Sequence, residues 1–161
     1  MPALSHLTLA AAAALSLGSL AACSSDSNNT APKPETYTAS LSGSNETTPP
    51  ALVIGATGTS TIVVNGHDLQ WTLTTANFAA GTTAPGSTTS TTLPAHIHLG
   101  APGVAGGIMV PLTATVNGTT SGTVTVVDSV LTHLRAGDAY VNVHTAARAS
   151  GEIRGQLVRA Q

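Results

Sequence analysis

The 161-residue chain has little charge: Asp, Glu, Lys and Arg make up 7% of it, and the formal net charge is −2. An ordinary soluble domain carries roughly 25% charged residues. Five Lys plus Arg neutralise few phosphates, which excludes a nucleic-acid surface. Long exposed helices and coiled coils need the Glu, Lys and Arg that are missing here. Aromatic residues are 2%, and there is one cysteine, Cys23. A lone thiol permits no intrachain disulfide and no zinc–thiolate cluster. The most apolar run, LTLAAAAALSLGSLAA at 7–22, is short for a membrane span and is interrupted by Ser and Gly. Thr, Ser, Gly and Asn supply the polarity instead. Thr favours strands and the other three favour turns, so the composition leans all-β.

The 7–22 run reads as the apolar region of a signal peptide spanning 1–22. It ends in Leu20-Ala21-Ala22-Cys23, which resembles a bacterial lipobox. By that resemblance Cys23 becomes the lipidated first residue of the mature protein. Each acyl chain would contribute about 0.8 kcal/mol per buried CH₂, and more than one chain anchors stably. The expected partner of this end is a bacterial membrane, on its periplasmic or extracellular face. Residues 23–35 contain SSDSNNTAPKPE, a polar stretch with two prolines and no apolar periodicity. They read as a disordered tether.

Alternation dominates 36–159, the expected folded domain. Tyr37, Ala39 and Leu41 share one parity. Asn65-Gly66-His67-Asp68 lies between Thr61–Val64 and Leu69, Trp71, Leu73, a hairpin signal. Residues 79–92 form a low-complexity loop. Strands are expected at Leu93–Leu99, around Ile108, Val110 and Leu112, at Thr123–Val127, at Tyr140–Thr145 and at Glu152–Val158. Turns fall at 100–107 and at Asn117-Gly118. Asp128 is expected to cap one short helix that Gly137 stops. These elements predict an all-β fold, an antiparallel Greek-key sandwich or barrel, Ig-like or superoxide-dismutase-like, with one short helix. Its core would be Val, Ile, Leu, Ala and Thr methyls around Trp71.

Three stretches are specific together: Ala95-His96-Ile97-His98-Leu99-Gly100 with Pro102-Gly103 and Gly106, Tyr140-Val141-Asn142-Val143-His144-Thr145, and Gly151-Glu152-Ile153-Arg154-Gly155-Gln156-Leu157. In this order they resemble the CHRD domain, a module named after chordin and found in many bacterial exported proteins. The resemblance covers Tyr37 to about Val158. Leu41-Ser42-Gly43 keeps the early family pattern, whereas Glu46-Thr47-Thr48-Pro49-Pro50 is one residue longer than the family's Glu-Val-Pro-Pro. The resemblance implies a β-sandwich and implies no enzymatic activity.

Parity adds a reading of its own. His96 and His98 are i and i+2 on a strand, so they share a face, with Cα atoms roughly 6.6 Å apart. Ile97 and Leu99 take the other face. In the later strand Val141 and Val143 face the core, which puts Tyr140, Asn142 and His144 opposite. If the two strands are neighbours, three imidazoles converge outside the core. Such a set suits copper or zinc at about 2.0–2.1 Å. The His-x-His strand also resembles part of the copper-ligand strand of copper/zinc superoxide dismutases. The alternative is a metal-free hydrogen-bonded cluster of these His with Asn142, Thr145, Glu152 and Arg154. His67 in the hairpin is expected to be solvated, and His133 on the helix to be a surface or packing residue. Arg154 is expected to form a structural ion pair with Glu152, Glu46 or Asp138. Arg135, Arg148 and Arg159 read as solvated.

Three functions follow as expectations. The first is a lipid-anchored module of the cell envelope, binding or structural, without catalysis, whose partner is an envelope protein or a metal ion. The second is a copper- or zinc-binding protein using His96, His98 and His144. The third is a redox enzyme of superoxide dismutase type, which needs a charged channel that this chain has few charges to build.

Overall fold

The structure is a computed structural model that describes residues 33–47 and 55–161. The expected signal peptide, Cys23 and the tether up to residue 32 lie outside the described residues, as do Thr48, Pro49 and Pro50. The strands are β1 (Glu35–Ser42), β2 (Thr57–Asn65), β3 (Asp68–Ala76), β4 (Thr92–Leu99), β5 (Ile108–Thr115), β6 (Thr119–Thr125), β7 (Ala139–Val143), β8 (Ile153–Gln156) and β9 (Val158–Arg159). One helix, α1 (Asp128–Ala136), joins β6 to β7, and a 3-10 turn (Gly43–Asn45) follows β1. Eight strands run in the order β5-β4-β7-β8-β1-β2-β3-β6, and β9 also pairs with β1. Every pairing is antiparallel.

The sheet curls into a nearly closed barrel, so of the two expected architectures the barrel is found. Its seam lies between the edge strands. There the Thr120 hydroxyl donates to the Thr113 carbonyl at 2.7 Å, and the Thr75 hydroxyl on β3 reaches across to the Thr115 carbonyl at the end of β5. The turn at Asn117-Gly118 therefore crosses the seam instead of closing a paired hairpin. Asn117, at φ 51°, uses its side chain to accept from the Phe78 amide at 2.8 Å and to donate to the Phe78 carbonyl at 3.1 Å. That clamp anchors the start of the long loop before β4.

The two-residue period builds the interior. In β3 Leu69, Trp71, Leu73 and Thr75 are buried, while Gln70, Thr72 and Thr74 are exposed. The register pairs Val64 with Leu69 and Ile62 with Trp71, so both strands turn the same parity inward. Gly66, at φ 62°, makes the tight turn between them. Leu93, Ala95, Ile97, Ala139, Val141, Val143 and Ile153 are all 0% exposed. Each fully buried Leu, Ile or Val contributes about 1.5–3 kcal/mol. The helix buries Val130, Leu131 and Leu134 and ends at Gly137, which is left-handed as expected. Asp128, however, is the first helical residue and not the cap. Its carboxylate is taken by His67 at 2.9 Å instead.

One strand departs from alternation. All five residues of β7 are buried. Ala139, Val141 and Val143 point inward. Tyr140 and Asn142 point outward, and their burial means that the outer surface of the barrel is covered here.

Candidate metal centre

The covered outer surface holds the histidines. Ala95 and Ile97 face the core, so His96 and His98 project outward from β4. The ladder sets His96 opposite Asn142, His98 opposite Tyr140 and Ala95 opposite Val143. One residue further, the His144 amide donates to the Pro94 carbonyl at 2.9 Å, which carries His144 on past the end of β7 beside the same two rings. Ring centroids are 4.9 Å apart for His96–His144, 5.4 Å for His96–His98 and 5.7 Å for His98–His144. One nitrogen from each ring lies within 4.8 Å of the other two.

Two backbone carbonyls fix the rings. His98 Nδ1 is 2.9 Å from the Gly106 carbonyl, and His144 Nδ1 is 3.1 Å from the Ala149 carbonyl. A carbonyl only accepts, so both Nδ1 atoms carry the proton. The Nε2 atoms of the neutral rings are then bare lone pairs. Both are buried with no hydrogen-bond partner, and so is Nδ1 of His96. Buried polar atoms are normally satisfied. Here three unpartnered nitrogens belong to three adjacent rings, a donor set of the type that holds copper or zinc in other proteins. Ligands at about 2.0–2.1 Å around a tetrahedral ion stand about 3.3 Å from one another, so the widest pair has to close by at most about 1.5 Å.

The loops above the site are tied to its walls. The Tyr140 ring stacks on His98, with centroids 5.0 Å apart and planes 12° apart, and its hydroxyl accepts from the Gly106 amide at 3.1 Å. The Arg154 guanidinium lies 3.4 Å from the Tyr140 ring centroid. Its Nη2 donates to the carbonyls of Val104 at 2.7 Å and Ala101 at 3.3 Å. On the other side the Thr145 hydroxyl donates to the buried Glu152 carboxylate, which shapes the loop that supplies the Ala149 carbonyl. Such outer contacts orient metal-ligating His.

Electrostatics follow burial. Desolvation, helped by the neighbouring His144 and His98, pulls the His96 pKa down to about 4. Desolvation also lowers that of His144, against the pull of the Ala149 carbonyl. Both rings are therefore neutral, and ready to ligate, below the usual imidazole value of 6.5. The same shifts set an acid limit. Unfolding frees the rings to bind protons at their ordinary value, so their contribution is fully present above pH 6.5 and is lost as pH falls, levelling near 4 for His96. The melting temperature of the metal-free protein should fall across that window. His96→Asn should flatten the slope. A slope unchanged by that substitution would remove His96 as its source.

The structure brings His96, His98 and His144 together and leaves His67 and His133 apart. His67 is exposed, as expected, although paired with Asp128. Arg154 departs from expectation. Among the described residues it forms no ion pair, and it rests on an aromatic ring and two carbonyls instead. Glu152 precedes β8 and takes the Thr145 hydroxyl, so the two residues do not share a strand face. Arg135 and Arg159 are exposed but both reach Glu35, at 2.7 and 3.5 Å. The Gly106 and Ala149 carbonyls escaped sequence reasoning, because a carbonyl leaves no residue-type signal.

Among the described residues, an antiparallel barrel with one helix and a polar cluster on its outer face defines an all-β domain. Residues 37–157 match the CHRD domain, and the chain belongs to that family. No curated protein and no solved structure matches the chain.

Proposed function

We propose that this protein is an exported bacterial lipoprotein, anchored through Cys23, whose CHRD domain holds a copper or zinc ion at His96, His98 and His144. The observation that carries the metal reading is the set of three buried imidazole nitrogens, one from each ring, without hydrogen-bond partners. Their chemistry supports it: neutral nitrogen donors suit copper and zinc and suit the hard, oxygen-preferring cations poorly. The family supports a binding or structural role. The test is metal content. Protein purified without added metal should carry copper or zinc in stoichiometric amount. His98→Ala should not. Wild-type protein that takes up neither ion, even when supplied, would leave the cluster a structural one.

The anchor rests on Leu20-Ala21-Ala22-Cys23 and the polar stretch after it. The expected mature form begins at Cys23 and partitions into detergent. Cys23→Ala should leave the protein unprocessed or release it from the membrane fraction. Processing and membrane binding that survive the substitution would overturn the lipoprotein reading and leave the metal reading untouched.

A further inference from the structure

Three protein nitrogens are fewer than a closed site provides. Structural zinc sites are closed by four protein ligands, whereas sites with three keep a position for a ligand from outside the chain. Among the described residues the set is His96, His98 and His144, and no Cys, Asp, Glu or further His joins it. The carboxyl groups of the surrounding loops are placed elsewhere. Glu152 takes the Thr145 hydroxyl. The Glu46 carboxyl lies against Gly151, in the space that a Cβ there would need.

The three rings are not equally covered. His98 and His144 are each 8% exposed. Tyr140 stacks on His98, and backbone carbonyls hold the Nδ1 atoms of both rings. His96 is only half-buried. Its Nδ1 is buried without a partner, while its Nε2 is neither buried nor bonded, so the ring stands at the surface with one nitrogen inside and the other in solvent. On β5 the residue opposite His96 is Pro111, exposed and without a side-chain donor or acceptor. Ile108, opposite His98 on the same strand, is 59% exposed. The covering is therefore thinnest on the β5 side.

Charge decides what fills the position. A divalent ion on three neutral imidazoles keeps both of its charges in a partly desolvated place, and a buried charge without a counter-charge is costly. An anion on the ion offsets that charge, and a neutral ligand does not. The approach runs past the His96 ring, so the anion has to be small.

We propose that the metal centre keeps one coordination position open on the β5 side, and that a small exogenous anion binds the ion there. The proposal rests on the metal reading above and adds the class of ligand that the bound ion takes.

The test uses the purified full chain loaded with copper(II) and titrated with sodium azide at about pH 7.5, where the imidazoles are deprotonated. Absorption and electron paramagnetic resonance are read together. Azide should produce a ligand-to-copper charge-transfer band that saturates at one azide per copper. It should change the copper hyperfine pattern, and the copper should stay with the protein through gel filtration. Pro111→Phe sets a ring beside His96, with Cβ atoms about 4.5–5.5 Å apart. It should weaken azide binding by about tenfold and leave the copper content unchanged. Copper bound in full, with spectra that azide does not move, would overturn the proposal and leave the metal reading standing. Azide binding as tight in Pro111→Phe as in the wild type would overturn the β5-side opening. A chain that takes up no copper would fail the metal reading itself, and this proposal with it. Should Pro111→Phe fail to fold, the wild-type titration still decides whether the position is open.

Discussion

Copper(II) or zinc(II) at about a hundredfold excess over its Kd should raise the melting temperature of the protein by roughly 10 °C at about pH 7.5. An ion that binds only the native state at that excess adds about 2.7 kcal/mol, and a domain of this size gains roughly 3–5 °C per kcal/mol. His96→Ala, His98→Ala and His144→Ala should each remove most of the shift, because each takes away one of the three converging nitrogens. His67→Ala and His133→Ala should retain it, since neither ring reaches the cluster. The acid dependence distinguishes this site from three ordinary histidines. Metal competes with protons for the nitrogens. Ordinary imidazoles would begin to lose the ion as pH falls through 6.5. Burial holds His96 near 4 and lowers His144 as well. The shift in melting temperature should therefore survive at about pH 5.5 and disappear towards pH 4. A wild-type protein that shows no metal-dependent shift at neutral pH would overturn the metal reading. A shift abolished by His67→Ala would keep the metal and move its site.

The histidine face was legible because parity is a strong signal in a strand. Ile97 between His96 and His98 has to face a core that Leu93 and Ala95 already define, and the two rings then have nowhere to go but outward. Val141 and Val143 fix the orientation of β7 in the same way. What parity cannot give is adjacency. β4 and β7 are separated by β5, β6 and α1, and the sequence reading could only make the convergence conditional on the two strands being neighbours. The same limit hid the barrel closure. Asn117-Gly118 reads as a turn, and its local conformation is that of a turn, yet the strands on either side are the two edges of the sheet. Charge was misread for a related reason. Arg154 reads as the ion-pair partner of Glu152, Glu46 or Asp138, whereas Glu152 lies just outside β8 and Tyr140 offers a π face across the ladder.

Gly106 should be the most sensitive position outside the three histidines. Its carbonyl holds His98 Nδ1 at 2.9 Å, and its amide donates to the Tyr140 hydroxyl at 3.1 Å. A Cβ built on it would run into the Leu99 carbonyl, backbone that cannot give way without disturbing β4. Gly106→Ala must therefore displace the loop, and both hydrogen bonds go with it. Two such bonds with their buried partners left idle cost about 2–3 kcal/mol of stability. Loss of the contact that orients a ligating His should cost about 10- to 100-fold in metal affinity. The neighbouring Gly107 supplies the comparison. A Cβ there meets nothing within 4 Å, and its φ is not in the left-handed region. Gly107→Ala should leave both stability and affinity near wild type. Paired thermal melts and metal titrations of the two variants separate the explanations. If Gly106→Ala melts early but binds metal as tightly as Gly107→Ala, the loop braces the barrel and does not set the His98 ring. If both properties fall together in Gly106→Ala alone, the carbonyl that shapes the loop is also the one that aims the ligand.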